Sequence, residues 1–310
     1  MSPSSSSGLV HYTACPACHS SSIRQVLTCK DYTVSGELFD VWECKSCSLR
    51  FTQDVPTEEK IGPFYQADEY ISHSNTNKGL INRLYQWVRN YTIGKKVELI
   101  KKQSCKATGS LLDVGCGTGE FLAGMKSAGW NVQGLEPDEG ARAQASDITG
   151  TIIGEPEELF SLEESYDVIS MWHVLEHVHR LHEYLDQYQK LLTKDGVLLI
   201  AVPNYTSTDA SHYQEHWAAY DVPRHLYHFS PASIDSLMKQ HGFQVDTHLP
   251  MPFDAFYVSM LSEQYRHGKS RLPAAFLNGL SSWSKARGTI TKGSSVLYVI
   301  RKNQSSEIVS

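Results

Sequence analysis

The 310-residue chain carries 28 Lys and Arg against 34 Asp and Glu, a formal net charge of -6, and is 41% hydrophobic and 20% charged. Such a chain is long enough to bury a core without covalent staples. Its longest apolar run, Val197 to Val202, falls far short of the ~20 residues that span a bilayer, which excludes a membrane-spanning helix. The acidic balance withholds the positive field that binds phosphate backbones, so nucleic acid is not the expected partner.

The opening MSPSSSSG lacks the basic and apolar stretches of a signal peptide and reads as a polar leader over residues 1–10, which points to a reducing, cytoplasmic location. Two pairs, Cys15-Pro-Ala-Cys18 and Cys44-Lys-Ser-Cys47, follow, separated by a β-rich stretch. Four thiolates at that spacing suit one tetrahedral Zn2+, so residues 11–60 are expected to form a zinc ribbon with Cys15, Cys18, Cys44 and Cys47 as ligands. Cys15 to His19 also spells a haem-attachment pattern, CPACH, but that reading leaves the second pair unexplained. Residues 61–108 form a helical linker or lid: Leu80, Leu84, Trp87, Val88, Tyr91, Val97 and Ile100 recur at helical spacing between Asn77 and Gln103.

From Gly109 apolar strands alternate with amphipathic helices: SLLDVG, NVQGLE, TIIG, YDVISMW, GVLLIAVP and QVDTHL, with helices near Glu120–Ala128, from Asp138, Leu181–Leu192 and Pro231–His241. That alternation predicts an α/β, Rossmann-like sheet over 109–302. Ser230, Pro231 and Gly242 mark the start and stop of the helix from Pro231. Two helical stretches, DAFYVSMLSEQYR and PAAFLNGLSSWSKA, fall in an insertion at 251–290, before a last strand, SVLYVIRK, and a polar tail at 303–310.

The first strand of the sheet runs into Asp113-Val114-Gly115-Cys116-Gly117-Thr118-Gly119 and then into a helix. A turn of this kind lets a cofactor approach the backbone and the helix N-terminus. A nicotinamide fingerprint needs GxGxxG, but Glu120 occupies the third position. The second strand ends in Glu136, in place to take both ribose hydroxyls of an adenosine.

With these residues the chain resembles the class I S-adenosylmethionine-dependent methyltransferases. LLDVGCGTGEFL resembles the family's first motif, GLEPD its acidic second-strand motif, and YDVISMWHVLEHV with LLTKDGVLLIAVPN its fourth and fifth strands. The resemblance implies a seven-stranded sheet whose last strand is antiparallel. It also implies that Gly115, Cys116, Gly117 and Gly119 surround the methionine moiety, that Asp113 orients its amino group, that Glu136 holds the ribose and that Glu155 lies near the adenine. A narrower resemblance is to enzymes with an N-terminal zinc ribbon and a segment like HWAAYDVPRHLYHFSP, including ubiquinone-type O-methyltransferase relatives.

That segment follows the fifth strand, at the sheet edge where ligands of such folds bind. Trp217, Tyr220, Arg224 and His228, with Tyr205 just upstream, are therefore expected to contact the acceptor, Arg224 by pinning an anionic group. His173 at the end of the fourth strand and His225 are the candidate general bases for a hydroxyl acceptor. The expected reaction is methyl transfer to a small-molecule, sugar- or lipid-linked acceptor. The alternative is an rRNA or tRNA methyltransferase whose ribbon grips RNA, against which Arg24, Lys30 and Lys45 are outnumbered by Asp31, Glu37, Asp40 and Glu43.

Overall fold

The computed structural model describes residues 8–66, 80–251, 254–268 and 290–303, without the side chains of 80–90. Most of the expected leader, the polar tail beyond Asn303 and the helix expected at PAAFLNGLSSWSKA lie outside the described residues.

The catalytic half is one mixed sheet of β6 (Ser110–Val114), β7 (Asn131–Leu135), β8 (Tyr166–Trp172), β9 (Leu192–Pro203), β11 (Phe243–Pro250) and β12 (Ser295–Lys302), in the order β11-β12-β9-β8-β6-β7. β7, β6, β8 and β9 are parallel neighbours, and β12 runs antiparallel between β9 and β11. In β9 every residue from Gly196 to Pro203 is buried, because helices cover both faces of a parallel sheet and leave no polar side to alternate with. The helices are α1 (Leu80–Ser104), α2 (Glu120–Ser127), α3 (Glu139–Thr149), α4 (Leu181–Leu191), α5 (Thr208–Tyr213), α6 (Pro231–Gln240) and α7 (Asp254–His267); α1, α2, α4 and α6 pack on the strands, α3 packs on α2, and α7 packs on α5.

The expected strand TIIG is reduced to a single parallel bridge, Leu135 to Gly154, so the regular sheet has six strands among the described residues. Glu155 and Glu158 form a capping box that starts a 3-10 helix at Pro156, and this ends the edge strand almost as it begins. α6 starts as its sequence signals require: the Ser230 side chain accepts from Ser233 N–H, Pro231 fills the first turn, and Gly242 at φ 72° follows.

The N-terminal ribbon contains the strands β1 (Leu9–Val10), β2 (Ile23–Lys30), β3 (Leu38–Cys44), β4 (Arg50–Thr52) and β5 (Val55–Pro56). Its main sheet is not self-contained. β10 (Tyr227–His228), from the segment after β9, pairs with β4 and gives the order β10-β4-β3-β2. Cys15, Cys44, Leu49 and Phe51 share one buried cluster with Val114, Met171, Leu198 and Tyr298 of the catalytic sheet. Phe39 and Val41 share another with Tyr213, Trp217 and Tyr220. The ribbon is built into the core of the catalytic half.

Candidate active site

β6 delivers the glycine-rich turn to the C-terminal edge of the sheet, where α2 begins on Gly119 at φ 84°. A Cβ at Gly119 would lie 2.7 Å from the Ala145 backbone, so this glycine lets α2 pack on α3. A Cβ at Gly117, also at positive φ, would meet nothing within 4 Å, which leaves an open approach to the backbone there. Gly115 packs under Val174, where a Cβ would meet the valine side chain at 2.4 Å.

Glu136, at the end of β7, is 9% exposed. Its Oε2 accepts from Gly117 N–H at 2.8 Å and its Oε1 from Asp138 N–H at 3.1 Å. Burial pushes its carboxyl up, opposed by these two backbone donors. Asp113 is buried and accepts from Ser170 Oγ at 2.6 Å. Burial raises it to about 7 against that hydrogen bond and the nearby Lys96 ammonium. Burial also pushes the Cys116 thiol well up, which keeps it a packing group rather than a nucleophile. Glu155 sits at the exposed rim, paired with Arg142 at 2.9 Å.

Beside the turn stands a charged group that no local spacing reveals. Lys96 of α1 lies 3.8 Å over the Trp172 ring and faces the carboxylates of Asp113 and Asp254, while burial lowers its ammonium. His173, at φ 59° in the left-handed region rare for non-glycine residues, puts Nε2 3.0 Å from Asp254 Oδ2 and Nδ1 3.6 Å from Glu176 Oε1. Burial pulls the imidazole down, but these two carboxylates outweigh it and raise it to about 10. Two flanking carboxylates favour the protonated imidazole, which weighs against the expected role of His173 as a general base.

Glu176 is fully buried, and apart from His173 Nδ1 at 3.6 Å no donor among the described residues approaches its carboxylate. One ligand atom each from Glu176, His177 and His225 lie within 4.8 Å of one another, a set able to hold a proton or a divalent cation. The His177 Nδ1 faces Arg224 O and Tyr65 OH, each at 3.0 Å, and the His225 Nδ1 faces Ala219 O at 2.9 Å. A carbonyl only accepts, so both imidazoles carry a proton on Nδ1. Burial, then His225, lowers His177 to about 4, so it is neutral at physiological pH.

The remaining expected acceptor contacts lie elsewhere. Trp217 Nε1–H donates to Asp209 at 2.8 Å, and Tyr205 O–H donates to Ser48 O at 2.6 Å. Tyr220 OH accepts from Arg50 at 2.9 Å, and Arg50 stacks 4.2 Å over the Tyr205 ring. His228 Nε2 meets Thr52 Oγ1 at 3.1 Å. Arg224 is 1% exposed, and its guanidinium donates to Asp221, Asp31 and Phe64 O. These five side chains are buried in the seam between the ribbon and the catalytic half, and apart from His228 Nδ1 their polar groups meet protein partners, so they do not form an open acceptor wall. His179 Nε2–H and His182 Nε2–H serve the same seam, donating to Pro56 O and Pro16 O.

Within the ribbon the four expected thiols converge, Cys15 Sγ 3.6 Å from Cys47 Sγ and Cys18 Sγ 3.5 Å from Cys44 Sγ, all four within 4.8 Å. Sulfurs around one zinc at about 2.3 Å would be separated by roughly 3.8 Å, so the set fits that ion with little movement. Ser46 N–H donates to Cys44 Sγ at 3.3 Å, the kind of backbone support that orients a metal-bound thiolate.

A family model described as Methyltransferase domain matches residues 85–248. The chain is 25% identical over 199 residues to a ubiquinone biosynthesis O-methyltransferase of Rickettsia bellii (strain OSU 85-389), covering 57% of this chain and 80% of that protein. Among solved structures it is similar to the magnesium protoporphyrin IX methyltransferase of Synechocystis PCC 6803, with TM-score 0.47 and 13% identity over 74% of this chain and 91% of that one. It is also similar to the mitomycin 7-O-methyltransferase, with TM-score 0.41 and 15% identity over 62% of this chain and 48% of that one, about half of its length.

Proposed function

The chain belongs to the methyltransferase-domain family and is an S-adenosylmethionine-dependent methyltransferase, and on that footing we propose that it methylates a hydroxyl oxygen of a small-molecule, sugar- or lipid-linked acceptor. The observation that carries the donor half of the reading is the Glu136 carboxylate joined to the open Gly117 backbone. Likeness to a ubiquinone biosynthesis O-methyltransferase supports oxygen as the acceptor atom.

When bound, S-adenosylmethionine supplies a sulfonium methyl that is already activated for transfer. Gly115, Gly117 and Gly119 would line its methionine portion, Asp113 would pair with its ammonium and Lys96 with its carboxylate, Glu136 would take the ribose hydroxyls, and Glu155 would stand at the adenine end. His225, backed by neutral His177, would take the acceptor's hydroxyl proton on Nε2, and the bound donor would supply the methyl that replaces it. Glu176 offsets the charge the histidine gains. His173 holds Asp254 and Glu176 in place. Cys15, Cys18, Cys44 and Cys47 hold one structural Zn2+.

Incubating the protein with S-adenosylmethionine and a panel of hydroxylated aromatics and sugars, and measuring S-adenosylhomocysteine release, tests this reading. His225→Ala is expected to lose on the order of a hundredfold or more in turnover of the accepted hydroxyl compound. Undiminished turnover in that variant, or methylation confined to nitrogen or carbon acceptors, would overturn it.

A further inference from the structure

We infer that Asp31, at the tip of the ribbon hairpin, is a positioning residue for the histidine pair of the active site, acting through Arg224. The inference rests on the reading that His177 and His225 handle the acceptor's proton.

Asp31 is fully buried. Its Oδ1 accepts from Thr33 N–H at 3.0 Å, and its Oδ2 accepts from Ser35 N–H at 2.8 Å and Ser35 Oγ at 2.9 Å. The hairpin turn therefore has reason to keep an oxygen acceptor here. It has no reason of its own to bury a charge, which is costly without an opposite one. That charge is met from 193 residues away: Arg224 Nη2 donates to Asp31 Oδ1 at 2.9 Å, both side chains being wholly inaccessible. Burial alone would push the Asp31 carboxyl up, yet Arg224 and the backbone donors hold it at about 2.

Arg224 transmits this anchor because its donors form a rigid planar fork. Nε lies 3.0 Å from both Asp221 oxygens, and Nη1 donates to Phe64 O at 2.9 Å. Held at two ends, the guanidinium fixes the short turn from Asp221 to His225, which closes with His225 N–H donating to Asp221 O at 3.0 Å. The carbonyl of Arg224, together with Tyr65 OH on the same Nδ1, orients His177, and Ala219 O, just before the turn, orients His225. A second ribbon residue grips the far side: Thr52 N–H donates to Leu226 O at 2.9 Å and Thr52 Oγ1 to His225 O at 2.7 Å. The ribbon thus holds the segment that sets which nitrogen of each histidine bears the proton.

The test uses the full, zinc-loaded chain with 15N-labelled histidine, whose two-bond couplings report the tautomer of each ring. In the wild type His177 and His225 should be Nδ1–H forms. Asp31→Ala should shift both toward a mixture containing about one third or more Nε2–H, because an unconstrained neutral imidazole exchanges between its tautomers. Asp31→Asn, which keeps an oxygen acceptor for Arg224, should restore most of the wild-type pattern. S-adenosylhomocysteine binding should change less than about threefold, since the donor turn is untouched. Should Asp31→Ala fail to fold, Arg224→Lys keeps the charge, removes the fork and should give the same tautomer mixture. Wild-type tautomers in the variant that folds, or equal tautomer shifts in Asp31→Ala and Asp31→Asn, would overturn the inference. Failure of the acceptor reading would show separately, as full turnover by His225→Ala with the response to Asp31 substitution intact.

Discussion

Gly117 N–H donates to Glu136 Oε2 at 2.8 Å, so the glycine-rich turn and the end of the neighbouring strand are coupled before any donor arrives. The contact fixes one oxygen of the carboxylate and leaves lone pairs for ribose hydroxyls, while no Cβ narrows the approach at Gly117. Pre-organisation of this kind reduces the ordering cost of binding.

Asp113 makes donor binding depend on pH. Burial, reinforced by Glu136 and opposed by Ser170 and Lys96, raises it to about 7 from an ordinary value of 3.8. The folded chain therefore holds this proton more tightly than the unfolded chain, and stability is lost as pH climbs from about 4 through about 7. Pairing with the donor's ammonium requires the carboxylate, so affinity for S-adenosylmethionine should rise between pH 6 and pH 8. Asp113→Asn should abolish that rise and, at pH 8, stabilise the free protein by roughly 1–3 kcal/mol. Calorimetry and thermal melts across this range check both signs.

Lys96, whose ammonium lies over the Trp172 ring, is the cation of the proposed donor site. Lys96→Met keeps the aliphatic stem but removes the charge, and should weaken donor binding about tenfold, ~1.4 kcal/mol, with little loss of stability. Quenching of indole fluorescence by added donor, compared between wild type and variant, measures it. Unchanged affinity would place the donor's carboxylate elsewhere.

The shared core changes what metal removal should do. Elemental analysis should find one zinc per chain, and Cys44→Ser should release it. Binding free energy of about 10 kcal/mol doubles as folding free energy in structural zinc sites. Because Cys15, Cys44 and Cys47 lie in the same buried cluster as the catalytic sheet, a chelator should lower the melting temperature of the whole protein. Loss of only the first ~55 residues to protease, with the catalytic half melting as before, would contradict that coupling.

The parts legible in the sequence are those encoded by short spacing. Asp113 to Gly119 and Glu136 are set by a strand, a turn and the next strand, and the four cysteines by two knuckles on one hairpin. Lys96 escaped because nothing near it in the chain marks it; only the approach of α1 to the sheet edge makes it a neighbour of Asp113. Trp217, Tyr220 and Arg224 were legible as a recognition surface but not as to what they recognise. Buried interfaces favour the same aromatic and arginine side chains that ligand pockets do, and here the partner is the ribbon of the same chain. The strand expected at TIIG failed for a local reason, the Glu155–Glu158 capping box that starts a helix.

Calorimetric titration of wild type and Glu136→Ala with S-adenosylhomocysteine tests the donor site most directly. Wild type should bind at one site per chain, and Glu136→Ala should bind more weakly by about 1.5–3 kcal/mol, the range for losing charge-assisted hydrogen bonds. No binding by folded wild type, or equal affinity in the two proteins, would contradict a donor seated on the Gly117–Glu136 pair.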